Sequence, residues 1–234
     1  MKSAFHKYIA EAIGTFMLVL FGTAAIVLSE IMFIPYSTLI IAFTFGLIVM
    51  LMVYRFGNIS GAHLNPAVTI AFWAAGHFNG RSVLPYMMAQ FIGAISASVL
   101  LSQLFPYNTT LGATLPGSHV SQSFIVEVLI TLLLMLVILT VSQRPQMKIH
   151  FASVAIGGTV LLAAIFAGPV SGASMNPARS TAPAIISNHL SHLWIYIMAP
   201  VSGALLSILV CKFIQPKHCC PLSKGKCKVQ NSDL

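Results

Sequence analysis

Two short segments of this sequence repeat one unusual set of residues. Residues 60–67 read SGAHLNPA and residues 171–178 read SGASMNPA. Asparagine is a good helix N-cap because its side-chain oxygen accepts hydrogen bonds from free backbone N–H groups, and proline is favoured at the first helical position, where its missing N–H costs nothing. Each segment therefore predicts the start of a helix, and the residues that define these two starts are Asn65, Pro66, Ala67, Asn176, Pro177 and Ala178.

The rest of the chain has the composition of a membrane protein. Its 234 residues are 57% hydrophobic and 7% charged, whereas a soluble domain carries about 25% charged residues. Six apolar segments are long enough to cross a hydrocarbon core of about 30 Å, namely approximately 8–28, 37–54, 83–104, 123–142, 150–167 and 193–214. The apolar segments that begin at the two prolines, 66–75 and 177–186, are too short to cross. The sequence therefore predicts an all-α transmembrane fold with six spanning helices and two half-helices.

The two halves of the chain are related as an inverted repeat. Glu11 in the first span corresponds to Glu127 in the fourth, 116 positions later, and Asn65 corresponds to Asn176, 111 positions later. Because each half (about 8–104 and about 123–214) contains three spans, an odd number, the second half must enter the membrane upside down. The two half-helices are therefore expected to enter from opposite faces and to meet at their N-termini near the midplane.

Two facing helix N-termini form a barrier to positive charge. Each end carries about half an elementary charge, so that together they repel cations and protons. The asparagine amide N–H groups are expected to remain free to donate to a passing oxygen. Because irregular backbone within a bilayer is tolerated where it lines a wet cavity, the loop carbonyls are expected to line a pore as a ladder of acceptors, formed by Gly61, Ala62, His63, Gly172, Ala173 and Ser174.

The basic residues indicate how the chain lies in the membrane. With the N-terminus inside, eleven of the twelve Lys and Arg residues fall on the inner side and Arg179 alone falls on the outer side, in agreement with the positive-inside rule. This predicts a multi-pass protein of the cell membrane with both termini in the cytoplasm, a single channel domain at 1–214 and a basic tail at 215–234. The net charge of +8 is thinly spread and lacks an aromatic-basic platform, which argues against a nucleic-acid partner.

The motif residues resemble the signature loops of the aquaporin, or major intrinsic protein, family. The first matching segment is HLNPAVT at 63–69 and the second is MNPARS at 175–180, and the similarity extends over roughly residues 8–214. The resemblance implies a homotetramer in the lipid bilayer with a pore in each subunit. It also implies a selectivity filter at the narrowest point of that pore, made by Phe45, Ala164, Ala173 and Arg179.

The filter residues do not fix the permeant. Water-selective relatives usually carry a histidine where this chain has Ala164, and glycerol facilitators typically carry a second aromatic and an aspartate where this chain has Ala173 and Ser180. Alanine at 164 widens the ring. Residues 168–175 look most like the nodulin-type branch and its bacterial relatives, which include conductors of water, glycerol and uncharged metalloid acids. We expect a passive channel for water and small neutral solutes; the alternative is a glycerol, urea or metalloid-acid facilitator with water as a secondary permeant.

The two acids in the spans allow two interpretations. Glu11 and Glu127 lie in the membrane, where acidic residues are costly and usually functional. As a proton relay they would make the chain a proton-coupled carrier, whereas as braces they would hold backbone N–H groups of the loops. Their matched positions favour the brace. A membrane enzyme is not expected, since no nucleophile–base pair or metal cluster is evident.

The remaining candidates lie in the tail and in one loop. The tail contains Cys219, Cys220 and Cys227 beside His218, a set that could bind a soft metal, accept palmitate or remain as reduced thiols; we prefer the reduced thiols. The segment Asn108-Thr109-Thr110 is a glycosylation sequon in an outer loop. No cofactor is predicted, and no metal site is assigned.

Overall fold

The computed structural model describes residues 4–35, 37–117, 119–142 and 148–214. These residues form eight helices: α1 (Ala4–Ile31), α2 (Ser37–Ser60), α3 (Pro66–Ala74), α4 (Gly80–Leu104), α5 (Val120–Ser142), α6 (Ile149–Ser171), α7 (Pro177–Ile186) and α8 (Leu193–Ile214). All except α3 and α7 are long and apolar enough to cross a membrane. The predicted all-α transmembrane fold, with six spans and two further short helices, is confirmed, and the chain is a multi-pass membrane protein. The predicted tail, with its three cysteines, lies outside the described residues.

Several spanning helices are longer than the apolar segments that predicted them. The second span was expected to end near residue 54, but α2 continues through Arg55 and Asn58 to Ser60. The fifth was expected to end near residue 167, but α6 continues to Ser171 and stops where Gly172 adopts a left-handed conformation. Helical hydrogen bonding continues past the apolar stretch to the start of the pore loop, because the helix pairs its own backbone N–H and C=O groups whatever the side chains are.

The packing of the helices repeats between the two halves. In the first half α1 packs against α2 and α4, and in the second half α5 packs against α6 and α8. The halves meet where α2 packs against α6, and the short helices cross over, since α3 contacts α8 while α7 contacts α4. This exchange places the N-termini of α3 and α7 in contact at the centre of the molecule.

Small residues allow the spanning helices to approach closely. A Cβ at Gly93 of α4 would lie 2.1 Å from the Ala12 carbonyl oxygen of α1, and a Cβ at Gly203 of α8 would lie 2.3 Å from the Val128 carbonyl oxygen of α5. Ala12 and Val128 directly follow Glu11 and Glu127 in the sequence. Helix association in lipid depends on such contacts, and here they fix the two helices that carry the buried acids.

Candidate pore and filter

The two asparagines cap the short helices with the same geometry. The Asn65 Oδ1 accepts from the Ala67 N–H at 2.9 Å, and the Asn176 Oδ1 accepts from the Ala178 N–H at 3.0 Å. Pro66 and Pro177 each follow the cap at the start of the helix. The helix starts therefore lie where the sequence placed them, because a cap is a local interaction between residues two positions apart.

The asparagine amides also connect the two loops to each other. The Asn65 Nδ2 donates to the Met175 carbonyl at 2.7 Å, and the Asn176 Nδ2 donates to the Leu64 carbonyl at 2.8 Å. The expectation that these amides remain free must be corrected accordingly. Each NH₂ group has two N–H donors. One of them donates to a carbonyl of the opposite loop, and the other makes none of these bonds.

Both pore loops contain residues in the left-handed conformation at matching positions. In the first loop Gly61, Ala62 and Leu64 have φ angles of 87°, 45° and 51°. The corresponding angles in the second loop are 80°, 43° and 54°, at Gly172, Ala173 and Met175. Non-glycine residues rarely adopt such angles, and they persist only where surrounding contacts hold them.

Those contacts come from the two buried glutamates. The Glu11 Oε1 accepts from the His63 N–H at 2.9 Å, and its Oε2 accepts from the Leu64 N–H at 2.7 Å. The Glu127 Oε1 accepts from the Ser174 N–H at 2.8 Å, and its Oε2 accepts from the Met175 N–H at 2.9 Å. Each carboxylate also accepts from the serine that precedes its loop, at 2.6 Å for the first and 2.8 Å for the second. Both acids are fully buried, and these hydrogen bonds to the loop backbone fit the brace interpretation.

One further residue completes the first brace and was not identified from the sequence. Gln90 of α4 is fully buried and donates from its Nε2 to Glu11 Oε2 at 2.8 Å and to Thr69 Oγ1 at 3.0 Å. The signal that could have revealed it is the presence of a glutamine within an apolar span, since a polar side chain in the membrane needs a partner.

The loops line a cavity at the centre of the molecule. This inner cavity has a volume of about 70 Å³ and passes both asparagines, the loop residues Gly61, Ala62, His63, Ala173 and Ser174, and apolar side chains of α1, α2, α5 and α6. Among the described residues, no backbone N–H donates to the carbonyls of 61–63 or 172–174. Of the six residues predicted to supply acceptors, Gly61, Ala62, His63, Ala173 and Ser174 line this cavity, whereas Gly172 lines a second one.

That second cavity adjoins the inner one, is larger, and is called the outer cavity below. Its volume is about 300 Å³, and its wall includes Glu30, Thr38, Thr110, Thr114 and Gly172. Within the described chain, four residues line both cavities and so mark the junction between them: Phe45, Ala164, Ala173 and Arg179. These are the four residues that the resemblance placed in the selectivity filter.

The junction has one cationic wall and one aromatic wall. The Arg179 guanidinium carbon lies 5.0 Å from the centroid of the Phe45 ring, within the range of a cation–π contact. Its Nη1 donates to the Gly112 carbonyl at 3.1 Å and to the Thr114 hydroxyl. Arg179 is 2% exposed, and its Nε has no hydrogen-bond acceptor in the described part of the chain. The methyl groups of Ala164 and Ala173 form the remaining walls.

A hydroxyl network behind the arginine was also missed in the sequence. Thr114 Oγ1 lies 2.8 Å from Ser180 Oγ. Ser180 in turn contacts the Ser174 hydroxyl, which donates to the Asn176 carbonyl at 3.1 Å. The network links the loop before α5 to the cap of α7. No motif or spacing announces such a contact, because Thr114 and Ser180 are 66 positions apart.

His63 contributes its backbone to the pore loop and its ring to an aromatic cluster. The ring stacks on Phe72 at a centroid distance of 4.7 Å, and it meets Phe78 at 4.8 Å and Tyr86 at 5.2 Å. Its Nδ1 lies 3.2 Å from Thr69 Oγ1. Within the described residues, no group of three or more His, Cys, Asp or Glu side chains could hold a metal ion.

A central cavity lined by both pore loops, within six helices that are long enough to cross a membrane, is typical of a membrane channel. The family model described as "Major intrinsic protein" matches residues 1–211, and the chain belongs to this family. It is therefore a channel protein for water and small solutes and not an enzyme.

Individual relatives agree with this assignment. The chain is 45% identical to a rice (Oryza sativa subsp. japonica) protein named Aquaporin NIP1-4, over 84% of this chain and 72% of the relative. It is 41% identical to Nodulin-26 of Glycine max, over 90% of this chain and 78% of the relative. The resemblance to the nodulin-like branch is thereby confirmed. Among solved structures, the aquaglyceroporin from Plasmodium falciparum has the same fold, with a TM-score of 0.84 at 22% identity, covering 92% of this chain and 99% of that one.

Proposed function

We propose that the junction of the two cavities is the selectivity filter, and that the channel passes water and small neutral solutes while it excludes ions and protons. The observation that carries this proposal is the sharing of Phe45, Ala164, Ala173 and Arg179 between the inner and the outer cavity. A permeant that moves from one cavity to the other must pass these four side chains.

The width of the filter supports a permeant larger than water. Two of its four walls end in a methyl group, so the opening is limited mainly by Phe45 and Arg179. Beyond it, the inner cavity offers carbonyl acceptors on one side and apolar side chains such as Val49 and Val160 on the other. A small polyol has hydroxyls on one edge and carbon atoms on the other. Its hydroxyls could donate to the carbonyls while its carbon atoms contact the apolar side chains. Glycerol, urea and metalloid acids remain the candidate solutes beside water.

Exclusion of ions is supported by the charges that face the pore. The N-termini of α3 and α7 both point to the centre, and each contributes a partial positive charge. Arg179 adds a full positive charge at the filter. Between the filter and the asparagines a cation would lose its hydration without finding a negative group on the cavity wall, because Glu11 and Glu127 are enclosed by their own donors.

The assembly and the orientation are part of the same proposal. We expect a homotetramer in the cell membrane, with a single channel domain at 1–214 and both termini in the cytoplasm. Support for the orientation comes from the helix ends. Five of the six described Lys and Arg residues lie at one end of the spans, namely Lys7, Arg55, Arg81, Lys148 and Lys212, whereas Arg179 and the outer cavity lie towards the other end. Many large apolar side chains are exposed on α1, α2, α4, α5 and α8, available to lipid and to neighbouring subunits.

Substitution of Ala164 by histidine tests the filter directly. An imidazole at this junction would project into the opening and block a three-carbon polyol by size, while water could still hydrogen-bond past it. In Ala164→His we expect glycerol permeability to fall about tenfold or more, a barrier increase of about 1.4 kcal/mol, and water permeability to fall much less. Light scattering of proteoliposomes under separate sucrose and glycerol gradients measures both.

The matched control is Phe166→His on the same helix. Phe166 is 78% exposed on the outside of the bundle, so a histidine there adds the same side chain without entering the pore. If wild type passes no small neutral solute above empty liposomes, the wide filter is refuted. If Ala164→His and Phe166→His pass glycerol equally well, residue 164 is not part of the filter.

A further inference from the structure

Glu30 lies at the end of α1 beside the outer cavity, and nothing in the proposed function uses it. A carboxylate in the last turn of a helix meets the negative end of the helix dipole, so this position is unfavourable unless other groups stabilise the charge. Two side chains of the outer loop between α4 and α5 do so. The Asn108 Nδ2 donates to Glu30 Oε2 at 2.9 Å, and the Thr110 hydroxyl lies 3.2 and 3.4 Å from the two carboxylate oxygens.

The same two side chains determine the shape of the loop. The Asn108 Oδ1 accepts from the Thr110 N–H at 3.2 Å and from the Leu111 N–H at 2.7 Å. Leu111 and Gly112 then both take positive φ angles, 50° and 68°. Leu111 is buried against Val27 of α1. The loop is therefore held to α1 by a polar contact at Glu30 and an apolar contact at Leu111.

The next residues of the loop, Gly112 and Thr114, contact the filter arginine. The Gly112 N–H donates to the Thr110 hydroxyl at 3.3 Å, and the Gly112 carbonyl accepts from Arg179 Nη1 at 3.1 Å. A Cβ at Gly112 would lie 2.9 Å from Thr23 Cβ, so this carbonyl reaches Arg179 only because residue 112 has no side chain. Only three residues separate Thr110, whose hydroxyl contacts Glu30, from Thr114, whose hydroxyl contacts Arg179.

We propose that Glu30 is a positioning residue of the selectivity filter, which fixes the outer loop so that Gly112 and Thr114 hold Arg179 against Phe45. This inference rests on the proposed function of the four-residue junction. Without the Glu30 contacts the loop loosens, the guanidinium loses its fixed acceptors, and it moves into the space left open by Ala164 and Ala173. The opening then narrows for glycerol more than for water.

The variants Glu30→Ala and Glu30→Gln test this in the full-length protein. Alanine removes both acceptor oxygens, whereas glutamine keeps the shape and one oxygen. In Glu30→Ala we expect the ratio of glycerol to water permeability to fall about threefold or more, with a smaller fall in Glu30→Gln. Hydrogen exchange of the amides of Leu111, Gly112 and Ala113 should become about tenfold faster or more. The control is Ser102→Ala near the C-terminal end of α4, where the half-buried serine hydroxyl donates to the Val99 carbonyl of its own helix. This variant should change neither quantity.

Each outcome decides one part of the proposal. Unchanged exchange in both variants would show that Glu30 does not hold the loop. Faster exchange with an unchanged permeability ratio, or an equal loss of both permeabilities, would show that the loop does not position the filter. If wild type passes no glycerol, the proposed solute range fails, and Glu30 is still judged by exchange together with water permeability. If Glu30→Ala fails to fold, Glu30→Gln alone tests the proposal, by the permeability ratio and by amide hydrogen exchange.

Discussion

The side chains around the pore divide into those that line the cavities and those that hydrogen-bond to the backbone of the pore loops. Phe45 and Arg179 face the cavities, whereas Glu11 and Glu127 face backbone N–H groups and are closed off from the pore. A carboxylate that accepts from three or four donors has its lone pairs directed away from any water path. This geometry distinguishes the brace from a proton relay more clearly than residue type can.

The brace predicts a loss of stability without a change in proton coupling when Glu127 is replaced by glutamine. In the variant, the side-chain NH₂ of the glutamine would face one of the backbone N–H groups that donate to a Glu127 oxygen in wild type, and that hydrogen bond would be lost. Hydrogen bonds to a charged group contribute about 1.5–3 kcal/mol each. We expect the free energy of unfolding of Glu127→Gln to fall by about this amount, measured by thermal or denaturant unfolding in detergent. Glu11→Gln is the matched variant, and it should lose more because Gln90 also donates to that carboxylate.

Transport at two pH values separates the two roles. For a brace, water and glycerol permeability keep the same pH dependence in wild type and in both variants, once corrected for the amount of folded protein. A variant that loses a pH-driven component of flux present in wild type would favour the proton-coupled carrier instead.

At the scale of helices, the two halves are joined by glycines that face each other. A Cβ at Gly157 of α6 would lie 2.6 Å from the Gly46 carbonyl oxygen of α2, and a Cβ at Gly46 would lie 2.9 Å from the Gly157 carbonyl oxygen. The two glycines are 111 positions apart, the same offset as the two asparagines. Their reciprocal contact lies where the inverted halves cross.

The crossing predicts opposite effects for two adjacent glycines. Gly157→Ala must push α2 and α6 apart, and overpacking of this kind costs about 1–3 kcal/mol. Gly158→Ala meets nothing within 4 Å and should be neutral or stabilising by about 0.5–1 kcal/mol, since alanine favours the helix. Unfolding of the two variants in detergent provides the comparison. Equal destabilisation of both variants would show that the contact between α2 and α6 at Gly157 does not cause the loss of stability.

The sequence predicted the elements well because their signals are local. The starts of α3 and α7 follow from a cap and a proline, and the spans follow from continuous apolar segments. The ends of α2 and α6 were misplaced because helical hydrogen bonds continue beyond apolar side chains. The contacts of Arg179 with Gly112 and Thr114 were not predictable, since they join residues more than 60 positions apart through loops without a repeating pattern. The bond from each asparagine amide to the opposite loop depends on how closely the N-termini of α3 and α7 meet, which no motif specifies.

At the scale of the whole molecule, the electrostatic barrier is a sum of contributions from both halves. The dipoles of α3 and α7 add at the centre only because the inverted halves bring their N-termini together, and Arg179 adds its charge a short distance away at the filter. No negative group on the described pore wall between the filter and the asparagines offsets this potential. The molecule is therefore expected to carry water with no measurable proton or cation current.

Replacement of Asn65 by aspartate places a negative charge where the two dipoles converge. We expect cation and proton leak to rise by about tenfold or more, since a change of about 1.4 kcal/mol in the barrier suffices. An aspartate oxygen would also face the Met175 carbonyl that now accepts from Asn65 Nδ2, so stability should fall by about 1–3 kcal/mol.

The control is Asn79→Asp, which makes the same change at the exposed N-cap of α4, where Oδ1 accepts from the Arg81 N–H. Proteoliposomes loaded with a pH-sensitive dye report the leak under a potassium diffusion potential, and water permeability of the same vesicles confirms that the variant is folded. An Asn65→Asp channel that conducts water and stays as tight to protons and cations as Asn79→Asp would show that the barrier does not arise at the meeting point of α3 and α7.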